Sequence, residues 1–205
     1  MRNDHTYAVV VLAAGASRRM GRPKQGLMYH GEPLVKHAVS AALEVSDRVL
    51  VVTGANKEVT EEAIAGMMVT LVHNEDWETG MASSIFAGIE YLEAGEDYDA
   101  GVIITTCDQP MLTADHLQAL INEMETTGAG IVASVYSQTM ATPAIFDRKY
   151  FHELKGLKGD RGAKELFVQH ASDTRGIAFP GGEIDMDTET DYETLLKMKN
   201  DPGQV

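Results

Sequence analysis

Cysteine is almost missing: Cys107 is the only one in 205 residues. An intrachain disulfide and a thiolate zinc cluster are therefore excluded, and the usage suits a reducing, cytoplasmic compartment. Long apolar runs are lacking as well. The one near the start, Tyr7 to Ala16, has ten residues, and its basic residues follow it. That is too short for a bilayer and has the wrong charge order for a signal peptide. Positive charge is also scarce, 17 Lys and Arg against 31 Asp and Glu, for a net charge of −14. Attraction to nucleic acid or to an anionic membrane is thus disfavoured. The seven histidines form no His-Glu-x-x-His or similar pair, which argues against a zinc site. With 44% apolar and 23% charged residues, what remains is a globular chain.

Within it, short β-branched runs alternate with amphipathic stretches. Val9 to Leu12, Arg48 to Thr53, Val69 to Val72, Gly101 to Thr106 and Gly130 to Tyr136 are nearly continuous apolar, as strands covered on both faces should be. Between them, Pro33 to Glu44, Lys57 to Gly66, Met81 to Ala94 and Thr113 to Glu125 carry apolar residues at helical spacing. The alternation predicts a three-layer α/β fold, a mostly parallel twisted sheet with helices on both faces. Further on, Thr142 to Asp147 reads as a strand, Arg148 to Leu154 as a short helix and Ala163 to His170 as another. A last helix starts after Thr188, whose hydroxyl and Asp191 have capping-box spacing. The tail from Asn200 to Val205 is expected to fray. No linker or repeat divides the chain.

The scarce positive charge is concentrated. No acid occurs from His5 to Gly31, yet Arg18, Arg19, Arg22 and Lys24 fall in seven positions just after the first strand. In open α/β sheets ligands bind beyond the carboxyl ends of strands, where this loop would lie. Ala13, Ala14 and Gly15 are small enough for main-chain amides to approach a ligand, and the cations would hold phosphates. Neither the P-loop spacing nor Gly-x-Gly-x-x-Gly is present, which disfavours a nicotinamide dinucleotide enzyme. Asp108 follows the strand ending at Thr106 and precedes Pro110, so it either turns the chain or presents a carboxylate from a strand end to a metal.

Leu12-Ala-Ala-Gly-Ala-Ser-Arg-Arg-Met-Gly-Arg-Pro-Lys24 resembles the signature of MobA-like nucleotidyltransferases, in particular the molybdenum cofactor cytidylyltransferase branch. Further matches are Asn74-Glu-Asp-Trp77, Gly80-Met-Ala-Ser-Ser84, Cys107-Asp-Gln-Pro110, Gly159-Asp-Arg-Gly-Ala163 and Asp185-Met-Asp-Thr188. The resemblance implies one domain over 1–205, with a nucleotide-binding part to about 112 and an acceptor-binding part over about 113–200. It implies transfer of CMP from CTP to the phosphate of molybdopterin or the molybdenum cofactor, with Mg²⁺ or Mn²⁺ and release of pyrophosphate. A recipient molybdenum hydroxylase would be the onward partner. Arg19 and Lys24 are implied to neutralise the triphosphate, Asp108 and Asp187 to hold the metal, and Leu12 to Gly15, Gly80 and Ser84 to frame the nucleotide.

Several residues carry a plainer reading beside that one. Ser84 is equally a capping or packing hydroxyl, Asp185 is a weaker metal candidate, and Trp77 has a plain reading as a core residue. Asp160 is either an acceptor-side residue or an N-cap. Arg18 and Arg22 add field at the rim, while Glu189, Asp191 and Glu193 form a solvated first helical turn. Cys107 lacks a basic partner and reads as structural. Ala141-Thr142-Pro143 departs from the Gly-His-Pro or Gly-Asn-Pro of many relatives, which leaves the acceptor open to a sugar phosphate or similar compound. A non-catalytic cofactor carrier is the alternative of another class.

Overall fold

A computed structural model describes residues 7–95, 100–160, 162–186 and 188–199. The chain opens with β1 (Tyr7–Ala13). A two-strand ribbon, β2 (Met28–Tyr29) and β3 (Glu32–Pro33), then leads into α1 (Leu34–Val45). Next come β4 (Val49–Thr53), α2 (Lys57–Ala63), β5 (Thr70–His73), α3 (Met81–Ala94), β6 (Gly101–Thr106) and α4 (Ala114–Thr127). The last third holds β7 (Ile131–Tyr136), β8 (Thr139–Asp147), α5 (Phe151–Gly156), α6 (Lys164–Gln169), β9 (Thr174–Ala178) and α7 (Glu189–Lys199).

Seven strands form one sheet in the order β5-β4-β1-β6-β8-β7-β9. β5, β4, β1 and β6 pair in parallel, β8 runs antiparallel to both β6 and β7, and β9 is parallel to β7. Alternation along β1 explains the layers. Val9, Val11 and Ala13 face α1 and α4 in one core, whereas Ala8, Val10 and Leu12 join Ile85 and Ile89 of α3 in the other. A central strand buried on both faces needs apolar residues throughout, which is the pattern its sequence shows. This is the expected α/β architecture. Among the described residues no helix is long and apolar enough to cross a membrane.

Departures from the sequence reading have local causes. Pro33 belongs to β3, so α1 starts one residue later. α2 stops at Ala63, ahead of the Gly66 turn at φ +82°. β8 begins at Thr139 because Ser137 and Gln138 both take positive φ (47° and 60°), making a tight hairpin without the usual Gly or Asn. β9, a polar edge strand, carries no apolar run that announces it. The cap between Thr188 and Asp191 forms in both directions: Thr188 N donates to Asp191 Oδ2 (2.7 Å) and Asp191 N to Thr188 Oγ1 (3.3 Å). Asp160 caps nothing, since the N-cap of α6 is Ala163 without a side-chain bond. The tail from Asn200 lies outside the described residues.

Candidate active site

β1 and β6 are parallel neighbours, so the loop after Ala13 and the turn after Thr106 emerge at the same sheet end. Cys107 N donates to Leu12 O (3.2 Å), joining the two. The β1 loop is held by its carbonyls. Buried Gln25 donates through Nε2 to Ala13 O (2.9 Å) and Gly15 O (2.8 Å), Ala55 N to Ala14 O (3.2 Å) and Asn56 Nδ2 to Gly15 O (3.1 Å). The amides of Gly15 and Ala16 have no acceptor among the described residues. Such amides at a strand's carboxyl end suit an anion. Ser17 at φ 53° folds the loop back, and its hydroxyl accepts from Lys24 N (3.0 Å).

Folding the loop back brings Lys24 Nζ onto Asp108 Oδ2, an ion pair whose side chains are only 17% and 15% exposed. The pair lies in a wall shared by two cavities. The smaller, about 450 Å³, runs beneath the β1 loop toward Ser84 and Trp77. The larger, about 950 Å³, is lined by Tyr136, Thr142, Phe167, Val168 and Asp185. Arg19, Lys24, Met81, Thr106, Asp108 and Asp160 border both.

The structure thus brings together Leu12, Ala14, Gly15, Arg19, Lys24, Gly80, Ser84 and Asp108 around the smaller cavity. Ala13 does not join them; its side chain is in the core beside Val9 and Val11. Ser84 is 4% exposed and accepts from Asn74 Nδ2 (3.0 Å), while its own hydroxyl proton has no acceptor among the described residues. Gly80 approaches protein as well as the cavity. A Cβ there would lie 2.5 Å from the Gly159 carbonyl carbon, at φ 114°. That contact, with Ala82 N donating to Gly159 O (3.0 Å), fixes the Gly159–Asp160 loop at the cavity junction. Trp77 lines the smaller cavity instead of sitting wholly in the core.

Arg22 is not a rim charge. Its guanidinium pairs with Glu189 (Nη2–Oε1 2.6 Å, Nε–Oε2 3.2 Å) and lies 5.1 Å over the Tyr192 ring, while Tyr192 OH donates to Met28 O (2.9 Å). Glu189 and Asp191 are accordingly engaged, in this pair and in the cap, and are not merely solvated. Arg18 does stay at the rim, 3.9 Å from Glu78.

Asp187 lies outside the described residues. Its neighbours reach the site: Met186 N donates to Asp108 O (3.2 Å), and Asp185 lines the larger cavity with Asp108. Burial and then the Asp185 charge push the Tyr136 hydroxyl up to about 12. Among the described residues no group of three or more His, Cys, Asp and Glu forms a cage. This donor set suits Mg²⁺, which takes one or two carboxylates and completes its shell with phosphate and water. Burial, more than the neighbouring Asp108 charge, pushes the Cys107 thiol up to about 12, so it is no nucleophile.

Sequence reasoning missed Gln109, which is 2% exposed and donates through Nε2 to Tyr136 OH (3.3 Å), Thr142 O (3.2 Å) and Gly182 O (3.1 Å). It stitches β6, β8 and the segment before Asp185 together. Its place beside Asp108 was the available signal. Gln25 was missed likewise, although it follows Lys24 directly.

The fold is a Rossmann-like α/β sheet with its cleft at the carboxyl ends of β1 and β6. The chain belongs to the MobA-like NTP transferase domain family, whose pattern matches residues 9–174. It is 32% identical to the purine catabolism protein PucB of Bacillus subtilis, covering 92% of this chain and 95% of that one. Among solved structures, a Mycobacterium sp. strain JC1 homologue of Rv0371c is 30% identical with TM-score 0.80, covering 93% of this chain and 95% of that one. A complex of Mycobacterium tuberculosis Rv0371c with manganese is 25% identical with TM-score 0.75, covering 94% and 98%.

Proposed function

We propose that the protein transfers CMP from CTP to the terminal phosphate of a molybdopterin-type cofactor. An acceptor phosphate oxygen attacks the α-phosphorus in line, a phosphoanhydride forms, and the bond to pyrophosphate breaks. The observation that carries this reading is the junction of two cavities at Lys24 and Asp108, one lined by the loop after β1 and the other by Tyr136, Phe167 and Val168.

The Gly15 and Ala16 amides with Lys24 and Arg19 would hold the triphosphate, and Ser84 would donate its free proton to a pyrimidine acceptor atom. Asp108, with Asp187 and the adjacent Asp185 segment, would hold Mg²⁺, or Mn²⁺ in its place; when bound, the ion supplies charge neutralisation at the phosphates. The manganese complex of the mycobacterial relative supports a divalent ion. An acceptor phosphate is already anionic, so the residues' task is alignment and neutralisation, with no strong general base required. Choice of cytosine rests on the Leu12-Ala-Ala-Gly15 form, and a recipient molybdenum hydroxylase is the partner implied.

A screen of each NTP against molybdopterin and sugar phosphates, read by pyrophosphate release with Mg²⁺, tests this. CTP with molybdopterin should react fastest, and Asp108→Asn should lower turnover at least about a hundredfold. Faster transfer to a sugar phosphate would move the acceptor. Tight cofactor binding without turnover, unaffected by Asp108→Asn, would indicate a carrier.

A further inference from the structure

The proposed reading asks Asp108 to face a divalent ion and Lys24 to face a triphosphate, yet the structure has them bonded to each other. We propose that the Lys24 ammonium is a built-in occupant of the cation position at Asp108, keeping a lone divalent ion off the carboxylate until nucleotide phosphates draw it away.

The geometry suits exchange. The backbone of Lys24 is fixed on the phosphate loop, its N–H on Ser17 Oγ (3.0 Å) and its neighbour Gln25 tied to Ala13 and Gly15. Its flexible four-carbon stem carries the only part that must move, and it borders both cavities. An ammonium and a dication cannot share one carboxylate oxygen at contact distance without strong repulsion, more so in a wall this little exposed. Metal and nucleotide are therefore coupled through one side chain, and the coupling acts equally in both directions. The inference rests on the functional reading above but is read by binding alone.

Mn²⁺ binding to the full chain without nucleotide, followed by the electron paramagnetic resonance of the free ion, tests it. Lys24→Met and Lys24→Gln should each bind Mn²⁺ about tenfold or more tightly than wild type, and Lys24→Arg should not. The gain should vanish in Lys24→Met with Asp108→Asn, and Arg18→Gln, which removes a charge from the cleft rim, should show none. In the reverse direction, with chelator present, Asp108→Asn should bind CTP several-fold more tightly, and Asp160→Asn, equal in charge but holding no ammonium among the described residues, should gain less. Neutral Lys24 variants no tighter than wild type, a gain that survives loss of Asp108, or an equal gain in Arg18→Gln would each overturn the proposal. Pyrophosphate release is scored separately: its absence from wild type with every nucleotide sinks the functional reading, whereas turnover with flat Mn²⁺ affinities sinks this inference alone.

Discussion

Cys107 and Asp108 are adjacent and opposite in use. One is buried with its thiol pushed up to about 12, and the other borders both cavities. The folded chain should accordingly resist iodoacetamide at pH 8 and react only after unfolding. Cys107→Ala should keep turnover within about twofold, since the alanine removes little volume. Rapid alkylation of the native protein would contradict this burial. At Gly80, backbone and space both forbid a side chain. Gly80→Ala should cost about 1–3 kcal/mol from the φ of 114° alone, more from the clash, and should lower turnover by shifting the Gly159–Asp160 loop; urea unfolding and pyrophosphate release measure the two effects. Arg19, Lys24 and Asp108 could be singled out from the sequence because charge and chain punctuation mark them. Gln109 has only its place beside Asp108 to mark it, for an amide becomes informative once the three acceptors around it are known.

Elements were legible where burial dictates pattern. The parallel half of the sheet was readable to within one or two residues because β1, β4 and β6 are covered on both faces. The antiparallel β8 and the edge strand β9 were harder, since a hairpin through Ser137 and Gln138 and a half-polar edge leave no such mark. Asp173 fastens that region: its carboxylate accepts from Lys149 Nζ (2.8 Å), Tyr150 OH (2.7 Å) and Gly130 N (3.0 Å). The Lys149 bond first, then the Tyr150 bond, holds its carboxyl down at about 2 from the usual 3.8. A folded value below the unfolded one means that stability is fully present above about pH 4 and is lost as pH falls toward 2. Asp173→Asn should unfold at lower urea than wild type at pH 7, with the gap closing between pH 4 and 2. A gap independent of pH would show that the charge does not matter.

At the scale of the whole molecule, the problem is how a loop near residue 24 and a segment near residue 186 come to one cleft, which no local pattern in the sequence reveals. A third, small core does this: Met20, Leu27 and Leu34 from the β1 side pack with Met186 and with Leu195 of α7. The Arg22–Glu189 pair and Tyr192 brace it outside, though exposed pairs of this kind add at most about 1 kcal/mol. Burial of Met186, which has no exposed surface and whose N–H holds Asp108 O, is therefore the dominant tie. Met186→Ala should destabilise the protein by roughly 2–5 kcal/mol, and so should Leu117→Ala in the core beneath α4. The two variants should part in function. Leu117→Ala should keep its turnover at temperatures where it is folded, because no residue of α4 lines either cavity. Met186→Ala should lose turnover about tenfold or more under the same conditions, with CTP binding in chelator nearly unchanged, because only the carboxylate-bearing segment has been loosened. If both variants keep full turnover while folded, the small core is a matter of stability alone, and the convergence of the distant acids is held by something other than Met186.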